Sequence, residues 1–112
     1  MPAIVCDTGA LLAAERRSPD FLALHDEVTA ARIRPLVPVV VLAQAWRGGP
    51  QHQISRVLKV CELIPDDDRT GGVDAIVVAT AVRHQAPVVT SDPGDLARIA
   101  DAIGVKIKLY PT

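Results

Sequence analysis

Three aspartates occupy positions at which a parallel sheet would present them for chemistry. Asp7 directly follows the apolar run 3–6, Asp92 follows the apolar run 87–90, and Asp74 lies in the first turn of a predicted helix. Ligands of open parallel sheets bind outside the carboxyl ends of the strands. A helix that returns antiparallel to the strands begins at that same edge. The spacing therefore predicts that the three carboxylates converge at one edge of a sheet.

Converging carboxylates repel one another, and a divalent cation removes that conflict. Oxygen ligands without a histidine or cysteine partner favour Mg²⁺ or Mn²⁺ over Zn²⁺, because His25, His52 and His84 show no metal-ligand spacing. A metal of this kind lowers the pKa of a bound water and neutralises charge on a scissile phosphate. The pattern therefore indicates phosphoryl chemistry.

Two of the three aspartates also have a structural interpretation. Asp74 and Asp92 fit as residues that cap or favourably charge helix N-termini, each worth about 1 kcal/mol. Asp7 has no obvious packing role, because it stands directly after a buried strand. We therefore predict a functional role for Asp7 and leave both roles open for the other two.

Three further polar residues flank these acids: Thr8, Ser91 and Asp95. Thr8 and Ser91 fit as helix caps, and their hydroxyls also suit metal-bound water or phosphate. Asp95 follows Asp92 by one helical turn, so it either joins the site or faces solvent. The three residues are supporting candidates.

The elements that position these residues are short and alternate in type. Strands are predicted at 3–6, 33–37, 61–64, 87–90 and 105–109. Helices are predicted at 19–32, at 38–46, from Pro50 to about Cys61, at 73–84 and at 93–103. The segment 38–46 is ambiguous, because three consecutive valines favour a strand, whereas a proline at its start and glycines after its end favour a helix.

Alternation of short strands with helices predicts right-handed crossovers and a parallel sheet covered on both faces. The expected fold is therefore α/β, a three-layer α/β/α sandwich with a mostly parallel sheet of four to five strands. A length of 112 residues suits one domain, 1–112, and leaves no room for a second.

The charge balance and the cysteines restrict the kinds of partner and the compartment that we expect for this protein. Twelve basic against thirteen acidic residues give a net charge of -1, so no global positive field attracts nucleic acid or membrane. Any polyanion must be bound locally. Cys6 and Cys61 show no C-x-x-C spacing and predict buried thiols in a reducing compartment. No apolar run approaches 18 residues, and the start lacks a basic region, so a cytoplasmic protein is expected.

Four segments carry a family resemblance: VCDTGALL (5–12), VVVLAQAWRG (39–48), VDAIVVATA (73–81) and VTSDPGDL (89–96). Each motif is weak by itself, but the four in this order resemble the PIN-domain ribonucleases. Within that group the chain is similar to the VapC-type toxins of bacterial toxin–antitoxin modules. The likeness covers nearly the whole chain.

The resemblance implies a PIN-like α/β/α sandwich and endonucleolytic cleavage of structured RNA, such as tRNA or rRNA, that depends on Mg²⁺ or Mn²⁺. It also implies a homodimer and inhibition by a cognate VapB-like antitoxin. The acidic metal site of the family maps onto Asp7, Asp74 and Asp92.

The chain departs from the family pattern at two places. Gln44 stands where the family usually places its second acid, which removes one negative charge and one possible proton acceptor. The stretch 65–72 is short where the family typically carries a further helix. Either the chain is a shortened member of the family or a segment is absent from the sequence.

Two other function classes compete with a nuclease. Gln44 is compatible with a weakened or inactive relative that binds RNA or an antitoxin. A phospho-accepting receiver domain would need an adjacent acidic pair before its first helix and a lysine after a late strand. Asp7 stands alone, and no lysine lies near Thr90, so the receiver pattern is not met.

Overall fold

A five-stranded parallel sheet forms the centre of the molecule. The computed structural model describes residues 2–46, 52–65 and 72–112. Its strands are β1 (Ala3–Cys6), β2 (Arg34–Pro38), β3 (Glu62–Ile64), β4 (Val88–Thr90) and β5 (Leu109–Pro111). They lie in the order β3-β2-β1-β4-β5, and every neighbouring pair is parallel.

Helices cover both faces of this sheet. They are α1 (Thr8–Glu15), α2 (Pro19–Ala30), α3 (Val39–Ala45), α4 (His52–Leu58), α5 (Val73–His84) and α6 (Pro93–Ile103). Helix α1 packs against α2, α3 and α4, whereas α5 packs against α6. Right-handed crossovers place the first group on one face and the second on the other. The predicted α/β/α sandwich with a parallel sheet is confirmed.

Local signals account for the helices that the sequence predicted. Ser18 accepts a hydrogen bond from the Phe21 amide at 3.4 Å and caps α2. Helix α6 ends at Gly104, whose φ of 76° is a left-handed conformation that glycine adopts without a steric penalty. The predicted bounds of α5 and α6 match the structure, and β1 matches as well.

The ambiguous segment 38–46 forms a helix, as predicted, in the part of it that becomes α3. Pro38 precedes this helix, and the Trp46 amide closes its end by donating to the Leu42 carbonyl at 2.9 Å. Val41 and Ala45 are fully buried one helical turn apart. Burial on the helical period therefore outweighs the strand preference of the valines.

Helix α1 is an element that the sequence analysis did not assign. Its buried residues are Ala10, Leu11, Ala13 and Ala14, but Leu12 is apolar as well, so the sequence 10–14 is an unbroken apolar run. A helix with no continuous polar face shows no amphipathic period, and the pattern used to find the other helices is absent.

Three predicted bounds need correction or lie outside the description. The strand predicted at 105–109 was wrong in its bounds, because pairing with β4 begins only at Leu109 and extends through Pro111. Proline is tolerated there since β5 is an edge strand. The helix predicted from Pro50 is described only from His52 and ends at Leu58. Its predicted start lies outside the described residues, as do Arg47, Gly48 and the charge run 66–68.

Both cysteines are free thiols, Cys6 buried and Cys61 half-buried. Burial raises the pKa of the Cys61 thiol to about 11 and that of the Cys6 thiol further, so both stay protonated at neutral pH. Among the described residues, no helix combines the length and hydrophobicity needed to span a membrane.

Candidate functional site

The sheet has one point at which its strand order reverses. From β1 the chain moves outward on one side to β2 and β3, and then returns to the other side for β4 and β5. The carboxyl ends of β1 and β4 therefore diverge into helices on opposite faces, and ligands of open α/β sheets bind in the crevice between such strands. Asp7 follows β1 and Asp92 follows β4, so this crevice carries two of the predicted acids.

Asp7 is held firmly in this crevice. It is 6% exposed, and its backbone amide donates to the Val89 carbonyl of β4 at 3.2 Å. Its side chain accepts from the Ala10 amide at 2.8 Å and from the Thr90 hydroxyl. Asp7 is thus the N-cap of α1, which corrects the expectation that it lacks a structural role.

Electrostatics at Asp7 are unfavourable to its charged form. Burial raises the pKa of the Asp7 carboxyl above its ordinary value, although the hydrogen bonds from Thr90 and Ala10 oppose this. The charges of Asp74 and Asp92 raise the pKa further. The two other predicted acids therefore lie close enough to act on Asp7.

The corner that follows β4 is built differently. Thr90 is completely buried, whereas Ser91 and Asp92 are exposed. The Thr90 hydroxyl accepts a hydrogen bond from the Asp92 amide at 2.9 Å. Asp92 occupies the N-cap position of α6 without a side-chain capping bond, so its carboxylate is presented to solvent at the crevice.

Asp74 completes the acidic group from the first turn of α5. Desolvation raises the pKa of the Asp74 carboxyl, and the charges of Asp95 and Asp92 add to the effect. Asp95 is half-buried and forms an ion pair with Arg98 on α6, so part of its charge is already balanced. The structure therefore places Asp74 and Asp92 close enough to Asp7 for their charges to interact. Asp95 has a basic partner of its own in Arg98.

Gln44 also reaches this edge. Its side-chain carbonyl accepts a hydrogen bond from the Thr8 hydroxyl at 2.5 Å, across 36 residues of sequence. Thr8 is adjacent to Asp7, so the contact connects α3 to the start of α1. The expectation that Thr8 caps a helix was wrong, because Asp7 has that role. The same expectation for Ser91 was also wrong, because the cap position of α6 belongs to Asp92.

The two corners approach each other very closely at Gly9. A Cβ atom added to Gly9 would lie 2.0 Å from the Ser91 Oγ and 3.2 Å from the Ser91 Cβ. An alanine at this position would displace the Ser91 hydroxyl and would still press on the Ser91 Cβ, so glycine suits the close packing of α1 against the loop after β4. The narrow crevice depends on this contact.

The donor set fits a hard divalent cation through few direct ligands. Within the described ranges, no group of three Asp, Glu, His or Cys side chains lies close enough to hold a metal ion directly. Mg²⁺ usually keeps several waters and binds through one or two carboxylates. Asp7 and Asp92, with Asp74 nearby, offer such oxygens. Burial and the like charges of neighbouring acids raise the pKa of the Asp7 and Asp74 carboxyls, and a bound cation would relieve this condition.

Two residues of the crevice were missed by the sequence analysis as parts of the site. Thr90 was assigned only to a strand, although a hydroxyl at the last position of a buried apolar strand is a signal in itself. Gly9 was read as part of a motif, and its close approach to Ser91 depends on a contact between distant segments. No local pattern predicts that contact.

Comparisons with known proteins bear on the fold. No protein-family model matches the chain, and no curated protein matches it. A solved structure does: the crystal structure of VapBC2 from Rickettsia felis bound to a DNA fragment from their promoter. The match has a TM-score of 0.71 at 15% sequence identity and covers 97% of this chain and 98% of that chain.

A match over nearly the whole length of both chains, at this TM-score, establishes a shared fold. The order of the strands and the switch point between β1 and β4 are therefore features of an architecture already known in a VapBC2 structure. The fold of this chain is therefore similar to that of the VapBC2 structure, and it is the α/β/α sandwich that the resemblance of its four motifs implied.

Proposed function

We propose that this protein is a divalent-metal-dependent endoribonuclease of the VapC type, which hydrolyses phosphodiester bonds in structured RNA such as tRNA or rRNA. The observation that carries the proposal is the position of Asp7 and Asp92 after the two strands that flank the switch point, with Asp74 at the start of α5. Burial raises the pKa of the Asp7 carboxyl, and the charges of Asp74 and Asp92 add to that effect. Carboxylates kept together against their own repulsion indicate a site that a cation completes.

The side chains have different tasks in this proposal. Asp7 is the rigid ligand, because the Ala10 amide and the Thr90 hydroxyl fix its carboxylate. Asp92 is exposed and meets incoming substrate and metal together, and Asp74 adds negative charge from the other side. A bound Mg²⁺ or Mn²⁺ would supply a nucleophile at neutral pH and neutralise charge on the phosphate.

A bound cation would also explain how a protein with a net charge of -1 could hold RNA. The acidic edge by itself repels a phosphate backbone, so RNA binding at this edge requires the cation. Binding of RNA near the crevice should therefore depend on the metal, and this dependence separates the proposed site from a general basic surface.

A second candidate function is favoured by one observation. Gln44 stands where the resemblance implies an acid, and its carbonyl oxygen already accepts the Thr8 hydroxyl. A neutral amide in that position leaves the site with one carboxylate fewer than the family pattern. The alternative is therefore a weakened or inactive relative that binds RNA or an antitoxin without cutting.

Cleavage of end-labelled tRNA and rRNA fragments tests the proposal. The purified protein would be assayed with Mn²⁺, with EDTA, and as the Asp92→Asn variant. Asp101→Asn is a matched control, because Asp101 is an exposed aspartate near the opposite end of the same helix. Discrete cuts that EDTA and Asp92→Asn abolish, but that Asp101→Asn retains, support the nuclease. No cleavage by folded protein free of partners contradicts it.

The variant Gln44→Glu separates the two candidates. A carboxylate at this position should tighten Mn²⁺ binding, measured by calorimetry, and raise the cleavage rate if the missing acid limits activity. Unchanged Mn²⁺ affinity would show that Gln44 is outside the site. RNA binding without cleavage in both proteins would favour the inactive binder.

A VapB-like antitoxin and a second copy of the chain are the proposed partners. The support is the VapBC2 structure that shares the fold and a set of large apolar side chains that are at least 40% exposed: Leu22, Val39, Trp46, Val60, Leu63, Val82 and Ile103. Light scattering coupled to gel filtration measures the mass in solution. A monomer at micromolar concentration would contradict the homodimer.

A further inference from the structure

Thr90 stands between the two corners of the crevice. Its side chain is completely buried at the end of β4. A threonine hydroxyl has one donor and two acceptor sites. Here the donor serves the Asp7 carboxylate and an acceptor site takes the Asp92 amide at 2.9 Å. One oxygen atom therefore contacts both segments that carry the acids.

The surroundings of Thr90 are fixed by the sheet. Its carbonyl accepts a hydrogen bond from the Thr112 amide at 2.9 Å, and β4 pairs with β1 on its other side. The hydroxyl is therefore attached to a backbone that hydrogen bonds hold on both sides. Its two hydrogen bonds then restrict their partners, which are the Asp7 carboxylate after β1 and the Asp92 backbone amide at the start of α6.

A hydroxyl at this place is not required for packing. Valine has nearly the same shape and is the residue at the two preceding positions of β4. Replacing the hydroxyl with a methyl group would leave the strand well formed, but it would remove one acceptor from the Asp92 amide and one donor from Asp7. The polar atom is thus used by the crevice rather than by the strand.

We infer that Thr90 is a positioning residue, which holds the Asp7 carboxylate and the Asp92 backbone in one fixed relation so that the two acids bind a single divalent cation. The inference rests on the proposed function, because it concerns ligands of that metal. Thr90 touches neither substrate nor metal in this role and acts only through the two aspartates.

Calorimetric titration of the RNA-free protein with Mn²⁺ tests this role. Residues that orient metal ligands typically change metal affinity 10- to 100-fold when removed. We expect Thr90→Val to weaken Mn²⁺ binding by about that factor and Thr90→Ser, which keeps the hydroxyl, to restore most of the affinity. Amide exchange of Asp92 should become faster in Thr90→Val, since its acceptor is lost.

Thr80→Val provides the matched control. Thr80 is also a buried threonine, but its hydroxyl donates to the Ile76 carbonyl at 2.8 Å within α5. This variant loses a buried hydroxyl of the same kind away from the two corners, so its Mn²⁺ affinity should stay at the wild-type value. A general loss of stability would lower the Mn²⁺ affinity of both variants, whereas loss of a positioning residue would lower it only in Thr90→Val.

The outcomes distinguish the inference from the function beneath it. Equal Mn²⁺ affinity in wild type and Thr90→Val overturns the role of Thr90 and leaves the metal site standing. Failure of the wild type to bind Mn²⁺ overturns the metal site itself, and the role of Thr90 with it. If Thr90→Val does not fold, Thr90→Ser and Thr90→Ala are compared, because they differ only by the hydroxyl. Equal affinity in that pair overturns the inference, and weaker binding in Thr90→Ala supports it.

Discussion

The corners β1–α1 and β4–α6 begin from the same pattern, a buried strand, an aspartate and a helix, yet they use the aspartate differently. Asp7 is buried and caps its helix through the Ala10 amide, whereas Asp92 is exposed and makes no capping bond. In the second corner the Thr90 hydroxyl accepts a hydrogen bond from the backbone amide of Asp92.

This difference corresponds to two requirements of the proposed metal site. One carboxylate must be fixed, and the fold accomplishes this by making Asp7 part of the helix start. Another must remain accessible to metal and substrate, and the structure presents Asp92 in that way because its exposed side chain makes no capping bond, while Thr90 holds only its backbone amide. The same residue type therefore contributes stability and geometry in one corner and access in the other.

The largest expected effect is on catalysis, where the two corners should behave alike. Asp7→Asn and Asp92→Asn should each lower Mn²⁺-dependent RNA cleavage at least about 100-fold, because each removes a charge that the cation requires. Their melting temperatures should differ. Asp7→Asn should raise it, because asparagine keeps the cap and removes the cost of burying a charge together with the repulsion from Asp74 and Asp92. Asp92→Asn should leave it near that of the wild type. Retention of the wild-type rate by either variant contradicts the shared role.

The next effect concerns the second residue of each helix, which is glycine in both corners. Gly9→Ala should destabilise the protein by about 1–3 kcal/mol, because its Cβ would collide with Ser91 and force the corners apart. At Gly94 the nearest atom to an added Cβ is an Asp92 carboxylate oxygen at 3.9 Å. Gly94→Ala should therefore stabilise by up to about 1 kcal/mol. Urea denaturation measures both, and effects of the same sign would contradict the asymmetry.

A smaller effect should distinguish the caps themselves. Asp7→Ala should be less stable than Asp7→Asn by about 1–2 kcal/mol, because alanine leaves the Ala10 amide without its acceptor. The same pair of substitutions at Asp92 should differ by less than about 0.5 kcal/mol, since no capping bond is lost there. Thermal unfolding in EDTA provides the comparison. A large difference at Asp92 would show that it caps α6 in solution.

The smallest expected effect is the dependence of stability on pH. Because the pKa of Asp7 is raised in the folded state, the folded protein holds this proton more tightly than the unfolded chain. Stability of the wild type should therefore fall as pH rises from the ordinary carboxyl pKa through the raised value, and Asp7→Asn should lack this component. The difference in melting temperature between the two proteins, in EDTA, should grow over that window and then become constant. A difference that shrinks as pH rises would contradict the raised pKa.

Much of this fold could be predicted from local pattern. Ser18 and Pro19 mark the start of α2 and Gly104 the end of α6, because capping and backbone preferences act within a few residues. Helix α1 could not be found in this way. Its helical period is hidden because residues 10–14 are all apolar, and its start depends on Asp7, whose side chain folds back only when the helix exists.

The fifth strand shows the same limit at the edge of the sheet. Alternating apolar residues from 105 to 109 predicted a strand there, but the strand begins where β4 provides partners. The acidic site was accessible to sequence reasoning because Asp7 and Asp92 lie within two residues of strand ends and Asp74 lies in the first turn of a helix. The contact of Thr8 with Gln44 was not, since it joins residues 36 positions apart.

The amino-acid sequence by itself determined the order of the elements and the placement of an aspartate at each critical strand or helix end. Those features follow from periodic burial and from capping, which are local. Only the tertiary structure decided that β1 and β4 are neighbours, that Gly9 meets Ser91, and that Thr90 holds both corners. These contacts join distant segments, and packing of the whole sheet brings them within the few ångströms at which hydrogen bonds and steric exclusion act.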